Sequence, residues 1–343
     1  MTTNNPHDPR AAALQAWLEA QPGTFDPPWL LRADASFRRY FRTRRDGAPM
    51  VVMDAPPGRE DTRPFVRIAG LLESLGLRPP RILAHNAAAG FVLLEDLGDR
   101  TFTRALAEGH PEEDLYARAT DTLLQLHQAW SERTSDTPGI PPYDRQRLLD
   151  EALLWADWYW PEVRGAAMPD NLREGFAAAW SRTLEGLPAM PQVLVLRDYH
   201  VDNLMLPPDG THPCAVLDFQ DAVIGSPAYD LVSLLEDARR TVSADVVEAC
   251  LSRYLEAAAW SPEAFRAHYR VLGAQRTTKI LGIFVRLARR DGKPRYLEHL
   301  PRLRALLATA LHLPELAPMA AWFDIHCPEA RVAEPAASGA AAS

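Results

Sequence analysis

Up to about residue 97 the apolar residues fall mainly in short alternating or continuous runs; beyond it they return at helical spacing. Leu30–Ala33, Arg39–Arg44 and Met50–Met53 read as three short strands, and Phe91–Leu94 as a further, buried one. Two helices break into this part. One is an Ala/Leu/Trp segment at residues 11–20; the other is Phe65–Leu75, where Ile68, Leu71, Leu72 and Leu75 share a face and Gly76 ends it. Further on, Leu115, Ala119, Leu123, Leu126 and Trp130 mark a long amphipathic helix, and Leu231, Leu234, Leu235 and Ala238 mark another. Between them lie three short apolar runs: Val193–Leu196, Asn203–Leu206 and Cys214–Leu217. The turn-rich Pro207-Pro-Asp-Gly210 follows the second run. No internal repeat is visible, and residues 332–343, rich in Ala, lack apolar periodicity and are expected to form a disordered tail. Strands first and helices afterwards predict an α+β chain of two lobes. The small strand-rich lobe is expected at 1–97, with a hinge at Glu95-Asp-Leu-Gly98, and the larger helical lobe at 98–331.

The three short runs carry the chemistry. Val193–Leu196 delivers Arg197 and Asp198 at its end, Asn203 follows five positions after Asp198, and Asp218 fifteen after Asn203. This is the spacing of a catalytic loop and a metal-holding Asp in kinase-like phosphotransferases. Phosphoryl transfer asks for a carboxylate that orients the nucleophile and accepts its proton, and for oxygens that hold Mg²⁺ on the phosphates. Asp198 suits the first task, and Asn203 with Asp218 the second. An isolated Asp in a loop is more simply a cap or turn residue. The complete spacing, set between buried strands, favours a metal-phosphate site.

Composition narrows the class. At 343 residues the chain exceeds what one core usually serves, and 47% hydrophobic residues supply enough apolar material for two. A net charge of -8 argues against nucleic acid or an acidic membrane as main partner. Cys214, Cys250 and Cys327 are scattered and odd in number, which fits a reducing compartment. The N-terminal residues lack the pattern of a secretion signal, and no apolar stretch reaches membrane-spanning length, so a cytoplasmic monomer is expected.

The segment from Leu196 to Phe219 resembles the aminoglycoside/choline phosphotransferase family, whose catalytic segment reads His-Gly-Asp-x-x-x-x-Asn followed by Ile-Asp-Phe/Trp. Leu196 stands where the family usually has His, and Arg197 where it has Gly. More narrowly, Ala35–Arg42, Met53–Pro57 and Lys279–Phe284 resemble the anomeric kinases for N-acetylmuramate and N-acetylglucosamine in bacterial cell-wall recycling. The resemblance, over residues 10–325, implies a protein-kinase-like fold, ATP and Mg²⁺ as cofactors, and an amino-sugar acceptor phosphorylated on its anomeric hydroxyl. Kinases of the same family for an aminoglycoside, choline or homoserine are the alternative acceptor readings, and an inactive nucleotide-binding protein is a third.

Within that frame, Glu95 and Leu97 are candidates for holding adenine through main-chain groups. No glycine-rich G-x-G-x-x-G or Walker A sequence occurs. Ala35-Ser-Phe-Arg-Arg39 takes the place of a phosphate-covering turn, with Ser36 and Phe37 at its tip. Arg38 or Arg39 is available for phosphate oxygens; strand alternation sends them to opposite faces, so one of the two is expected to serve. Met53 occupies the slot of the usual phosphate-binding Lys, and its helix partner near Phe65 or Val66 is apolar as well. That double replacement fits either a pseudokinase or an arginine substitute, and the intact Asp198, Asn203 and Asp218 favour an active enzyme. Tyr199, His200, Asp202 and Asp221 flank the catalytic groups as candidates for sugar hydroxyls, with a structural role equally open for His200. Trp155-Ala-Asp-Trp-Tyr-Trp160 suits core packing better than sugar stacking. Asp230 is expected to cap a helix and brace the catalytic loop. Arg276 and Lys279 are candidates for an anionic substrate group such as a lactyl carboxylate.

Overall fold

The computed structural model describes residues 9–33, 37–133 and 139–332. In chain order it contains α1 (Pro9–Glu19), β1 (Trp29–Ala33), β2 (Arg39–Arg45), β3 (Ala48–Asp54), α2 (Arg63–Ser74), β4 (Ile82–Asn86), β5 (Phe91–Glu95), α3 (Phe102–Ala107) and α4 (Glu112–Ser131). Next come α5 (Arg145–Ala152), a π-helical turn (Trp155–Tyr159), α6 (Trp160–Arg164), α7 (Asp170–Glu185), β6 (Val193–Val195), β7 (Leu204–Met205), β8 (Ala215–Val216) and β9 (Val223–Gly225). The chain then turns helical: α8 (Ala228–Leu235), α9 (Ala244–Ala257), α10 (Pro262–Arg289), α11 (Leu300–Ala310) and α12 (Ala317–His326). Among the described residues no helix is long and apolar enough to cross a membrane.

Two compact units emerge, with limits other than a cut at Leu97. One holds the chain up to Ala129 together with Val201–Ala222; the other holds Trp130–His200 and the chain from Val223 onward. Asp198 therefore belongs to the second unit and Asn203 and Asp218 to the first.

The first unit is built on an antiparallel sheet in the order β1-β2-β3-β5-β4. Strand alternation divides its side chains cleanly. Phe41, Val52 and Leu93 stand opposite one another and pack with Met50 and Phe91 on Leu14 and Leu18 of α1. The other face carries Tyr40, Met53 and Val92 in one row and Arg42, Val51 and Leu94 in the next. On α2, Phe65, Ile68, Ala69 and Leu72 form the buried stripe expected of its spacing. The hairpin β7–β8 completes the unit, its turn closed by Gly210 in the left-handed region and by Gly210 N–H donating to Pro207 O.

In the second unit α10 is the central element. Ser261 caps it by accepting from the Ala264 N–H, Pro262 fits its first turn, and it packs against α5, the π-helical turn, α8 and α11. Buried residues lie on every side of it, Arg276 and Lys279 among them. Gly282 permits the closest approach: a Cβ there would stand 2.2 Å from the Leu154 carbonyl oxygen. The aromatic run at 155–160 is core material, as expected. Trp155 stacks on Phe176 at 5.0 Å and meets Trp322 and Phe323 edge-on.

The runs at 203 and 214 pair with one another as β7 and β8, whereas the run at 193 pairs, as β6, with β9. Three-residue runs carry no pairing information, and Val223-Ile-Gly225 was too short to read as a strand.

Candidate active site

In the first unit a cavity of about 370 Å³ opens beside the sheet face that carries Tyr40, Val51 and Leu94. Its walls are apolar: Val51 and Leu94 from the sheet, Met205 from β7, and Leu97 and Leu217 from the connecting segments. The Glu95–Asp99 strip runs along one side, so a flat heteroaromatic base would meet apolar surface and main-chain groups together. The Glu95 N–H is already used, donating to Arg81 O, and its carboxylate is held by Arg78 at 2.8 Å. The hydrogen bond from the Arg78 guanidinium, more than any other influence, pulls the Glu95 carboxyl below its ordinary pKa. Leu97 differs: among the described residues its N–H makes no hydrogen bond. The strip itself is pinned by Arg42, which pairs with Asp96 at 2.6 Å and Asp99 at 2.8 Å, and by Gly98 N–H donating to Asp96.

At the polar end of the cavity the hairpin sets Asn203 just before β7 and Asp218 just after β8. Leu217 N–H donates to Asn203 O at 2.8 Å, so the two ends are tied side by side. Asp218 adopts φ 56, and its side chain is 43% exposed with Gln220 Nε2 donating to it. Non-glycine residues in this region are held at a cost of order 1–3 kcal/mol and cluster at functional sites. An amide oxygen and an exposed carboxylate are the hard ligands that Mg²⁺ takes, with waters and substrate phosphates completing its shell. Among the described residues no group of three or more His, Cys, Asp or Glu gathers as a protein-made cage. That donor set fits a metal brought in with a nucleotide.

The two adjacent arginines go separate ways, as alternation requires. Arg38 lies 3.3 Å from Glu60, 3.7 Å from Asp218 and 4.0 Å from Asp221. Arg39 instead pairs with Asp54, a fully buried carboxylate that Arg10 also binds at 2.9 Å. Arg39 is thus a structural residue, and Arg38 is the one beside the metal candidates. Phe37 is 56% exposed with Arg59 over its ring; Ser36 lies outside the described residues. Met53 is buried, and Phe65 meets Phe219 at 4.9 Å, so the usual Lys–Glu slot is filled by packing. Asp202 accepts from Thr103 Oγ1 at 2.5 Å and borders the cavity, and Asp221 is open to solvent.

In the second unit Asp198 follows β6 and is solvent-exposed. Its loop is braced from α8, where Asp230 accepts from the Leu196 and Arg197 N–H groups at 2.6 and 2.8 Å. Asp230 lies inside the first turn of α8, whose N-cap position is Pro227; it braces without capping. Arg197 takes φ 72 and sends its guanidinium to Glu151. Glu151 also binds Lys279 at 2.9 Å and accepts from the Tyr143 hydroxyl, whose oxygen lies 2.9 Å from the Tyr229 hydroxyl. Desolvation pushes the Asp198 carboxyl up. The charges of Lys279 and Arg276, then His200 and Arg197, outweigh it and hold Asp198 below the ordinary value. His200 is buried, and that burial lowers its pKa. Tyr199 is 1% exposed, which removes its ring from any surface a sugar could touch.

A fold of this kind recurs among solved structures. An ADP-bound aminoglycoside phosphotransferase, APH(2'')-Ib, superposes with a TM-score of 0.58 at 16% identity, covering 85% of this chain and 96% of that one. The sequence profile of the "Phosphotransferase enzyme family" matches residues 30–268. The chain belongs to that phosphotransferase family. It is 39% identical over 322 residues to the N-acetylmuramate/N-acetylglucosamine kinase of Pseudomonas aeruginosa, covering 90% of each chain. To the enzyme of the same name from Caulobacter vibrioides it is 38% identical, over 93% of this chain and 97% of the relative. It is a phosphotransferase homologous to amino-sugar kinases.

Membership in the phosphotransferase family gives meaning to Arg197. The family's usual Gly precedes the catalytic Asp, and here that position lies in the left-handed region that favours glycine. Arginine is kept there by three ties: Asp230 on its N–H, Glu151 on its guanidinium, and the Tyr143 ring 5.5 Å beneath. Glu151, Tyr143 and Tyr229 gave no sequence signal, because their partners lie as far as 136 positions away.

Proposed function

We propose that this phosphotransferase is an ATP- and Mg²⁺-dependent kinase that phosphorylates the anomeric hydroxyl of N-acetylmuramate and N-acetylglucosamine. The product is the sugar 1-phosphate, in peptidoglycan recycling, and the enzyme works as a cytoplasmic monomer. What carries the acceptor class is the likeness to the Pseudomonas and Caulobacter enzymes over nine-tenths of the chain. Asp198 orients the anomeric hydroxyl and takes its proton as the oxygen attacks the γ-phosphorus and ADP leaves. An anomeric hydroxyl is more acidic than an ordinary alcohol, so a carboxylate held at low pKa is base enough. Asn203 and Asp218 would hold Mg²⁺, which when bound would neutralise charge on the phosphates. Arg38 adds the cation that the Lys replaced by Met53 would have provided. The Leu97 N–H donates to the adenine edge, with Val51, Leu94, Met205 and Leu217 around the ring. Asp202 and Asp221 remain for sugar hydroxyls, with His200 as a buried support.

The test is Mg²⁺-dependent ADP release across a panel of N-acetylmuramate, N-acetylglucosamine, choline, homoserine and aminoglycosides. Phosphorus NMR of the product then locates the phosphate. Turnover of the two amino sugars, with phosphate on C1, is expected. Turnover confined to choline, homoserine or aminoglycosides would refute the acceptor assignment, and no turnover on any of them would refute the kinase reading.

A further inference from the structure

Arg276 sits in the middle of α10 and is only 6% exposed. Among the described residues it makes no hydrogen bond and no ion pair. Its helix neighbours are provided for: Gln275 donates to Leu148 O at 2.8 Å, and Lys279, one turn on, pairs with Glu151 at 2.9 Å. The Arg276 guanidinium nitrogens are not among the buried orphan atoms, so with no protein partner they keep contact with solvent, and a ligand can reach the fork although the residue as a whole is enclosed. Lys279, one turn on, shares Glu151 with Arg197, the neighbour of Asp198, and the Glu236 carboxylate packs against Gly273, one turn before; Arg276 thus stands among carboxylates, its charge felt at Asp198, Asp230 and Glu236, while bonded to none of them. Asp230 is occupied by the Leu196 and Arg197 amides. A planar fork of five donors left open in this neighbourhood is suited to one ligand group above others, a carboxylate bound bidentately.

The two sugars named for the relatives differ in that respect: N-acetylmuramate carries a lactyl ether with a carboxylate where N-acetylglucosamine carries a hydroxyl. We propose that Arg276 is the specificity-determining residue that receives the lactyl carboxylate, and that it sets the preference of this enzyme for N-acetylmuramate over N-acetylglucosamine. The assignment rests on the amino-sugar reading above. It separates the two buried cations of α10: Lys279 is committed to Glu151 and tunes the Asp198 surroundings, while Arg276 meets the acceptor.

Steady-state kinetics of Arg276→Gln on both sugars tests this. Loss of the Arg276 charge also changes the field at Asp198, but that change acts on both acceptors and cancels in their ratio. The ratio of kcat/KM for N-acetylmuramate to that for N-acetylglucosamine is expected to fall by about tenfold or more, mainly through KM. Wild-type enzyme should likewise discriminate against the neutral carboxamide of N-acetylmuramate, and Arg276→Gln should not. If Arg276→Gln does not fold, Arg276→Lys, which keeps the charge and loses the fork, carries the same comparison with a smaller fall. An unchanged ratio in the variants, with wild type active on both sugars, overturns the role of Arg276 alone. A wild-type enzyme that phosphorylates neither sugar overturns the amino-sugar reading, and this assignment with it.

Discussion

The β7–β8 hairpin and the cluster around Glu151 both handle charge, and they do so in opposite ways. In the hairpin, Asp218 is left 43% exposed and is aimed by the backbone: φ 56, a two-strand ladder and one Leu217 N–H···O Asn203 bond. Gln220 donates to it and Arg38 stands 3.7 Å away, yet much of the carboxylate stays open to solvent. Around Glu151, charges contributed by β6's following loop, α5 and α10 are balanced internally, with the Tyr143 and Tyr229 hydroxyls joined to the cluster. Lys279, with one end on Glu151, is also the leading charge that holds Asp198 low, so the cluster reaches the chemistry without touching a ligand.

The sharpest way to break this division is Asp198→Asn. General-base catalysis typically contributes about 10²–10⁴-fold, so kcat should drop by at least two orders of magnitude. Nucleotide affinity, assigned above to the cavity of the first unit, should hardly change when measured by fluorescence titration. Turnover within tenfold of wild type would remove Asp198 from the role of base.

Next in size is Glu151→Gln. It leaves Arg197 and Lys279, with side chains 15% and 11% exposed, without the carboxylate they share. Breaking a buried pair costs about 3–5 kcal/mol, less here because the group is not fully buried, so a fall in Tm of roughly 5–10 °C is expected. The Glu151→Gln/Lys279→Met double variant should recover part of that loss, since both charges then leave together. Were Glu151→Gln to melt with wild type, the cluster would not be holding the second unit together.

How far the sequence spoke for these regions follows from the range of their contacts. Asp198, Asn203 and Asp218 lie within 21 positions, and their spacing alone named the chemistry. The strand runs at 39, 50 and 91 and the helices at 65 and 115 were legible for the same reason, since period and face are local properties. The β6–β9 pairing was not, because β9 is three residues long and its partner is fixed only by the fold. Arg276 and Lys279 were visible as cations, yet their burial was not: α10 is apolar enough on all sides to run through the centre of its unit, and carries both inside with it. The Glu151 cluster had no local signature at all.

The finest test of the division between binding and structural charge compares two neighbours, Arg38 and Arg39. One residue apart on the chain, they face opposite sides: Arg38 stands 3.7 Å from the exposed Asp218, Arg39 on the buried Asp54. Arg38→Gln should raise KM for ATP by about tenfold, the worth of one charge-assisted contact, with Tm close to wild type. Arg39→Gln should do the reverse. Asp54 keeps Arg10 at 2.9 Å, so the loss is partial: about 1–2 kcal/mol of stability, with KM for ATP within twofold. Steady-state kinetics with ATP varied and thermal melts on the same preparations separate the two effects. If both variants shift KM equally, the assignment of Arg38 alone to the triphosphate fails. If neither does, the cation that replaces the missing Lys must be sought outside this pair.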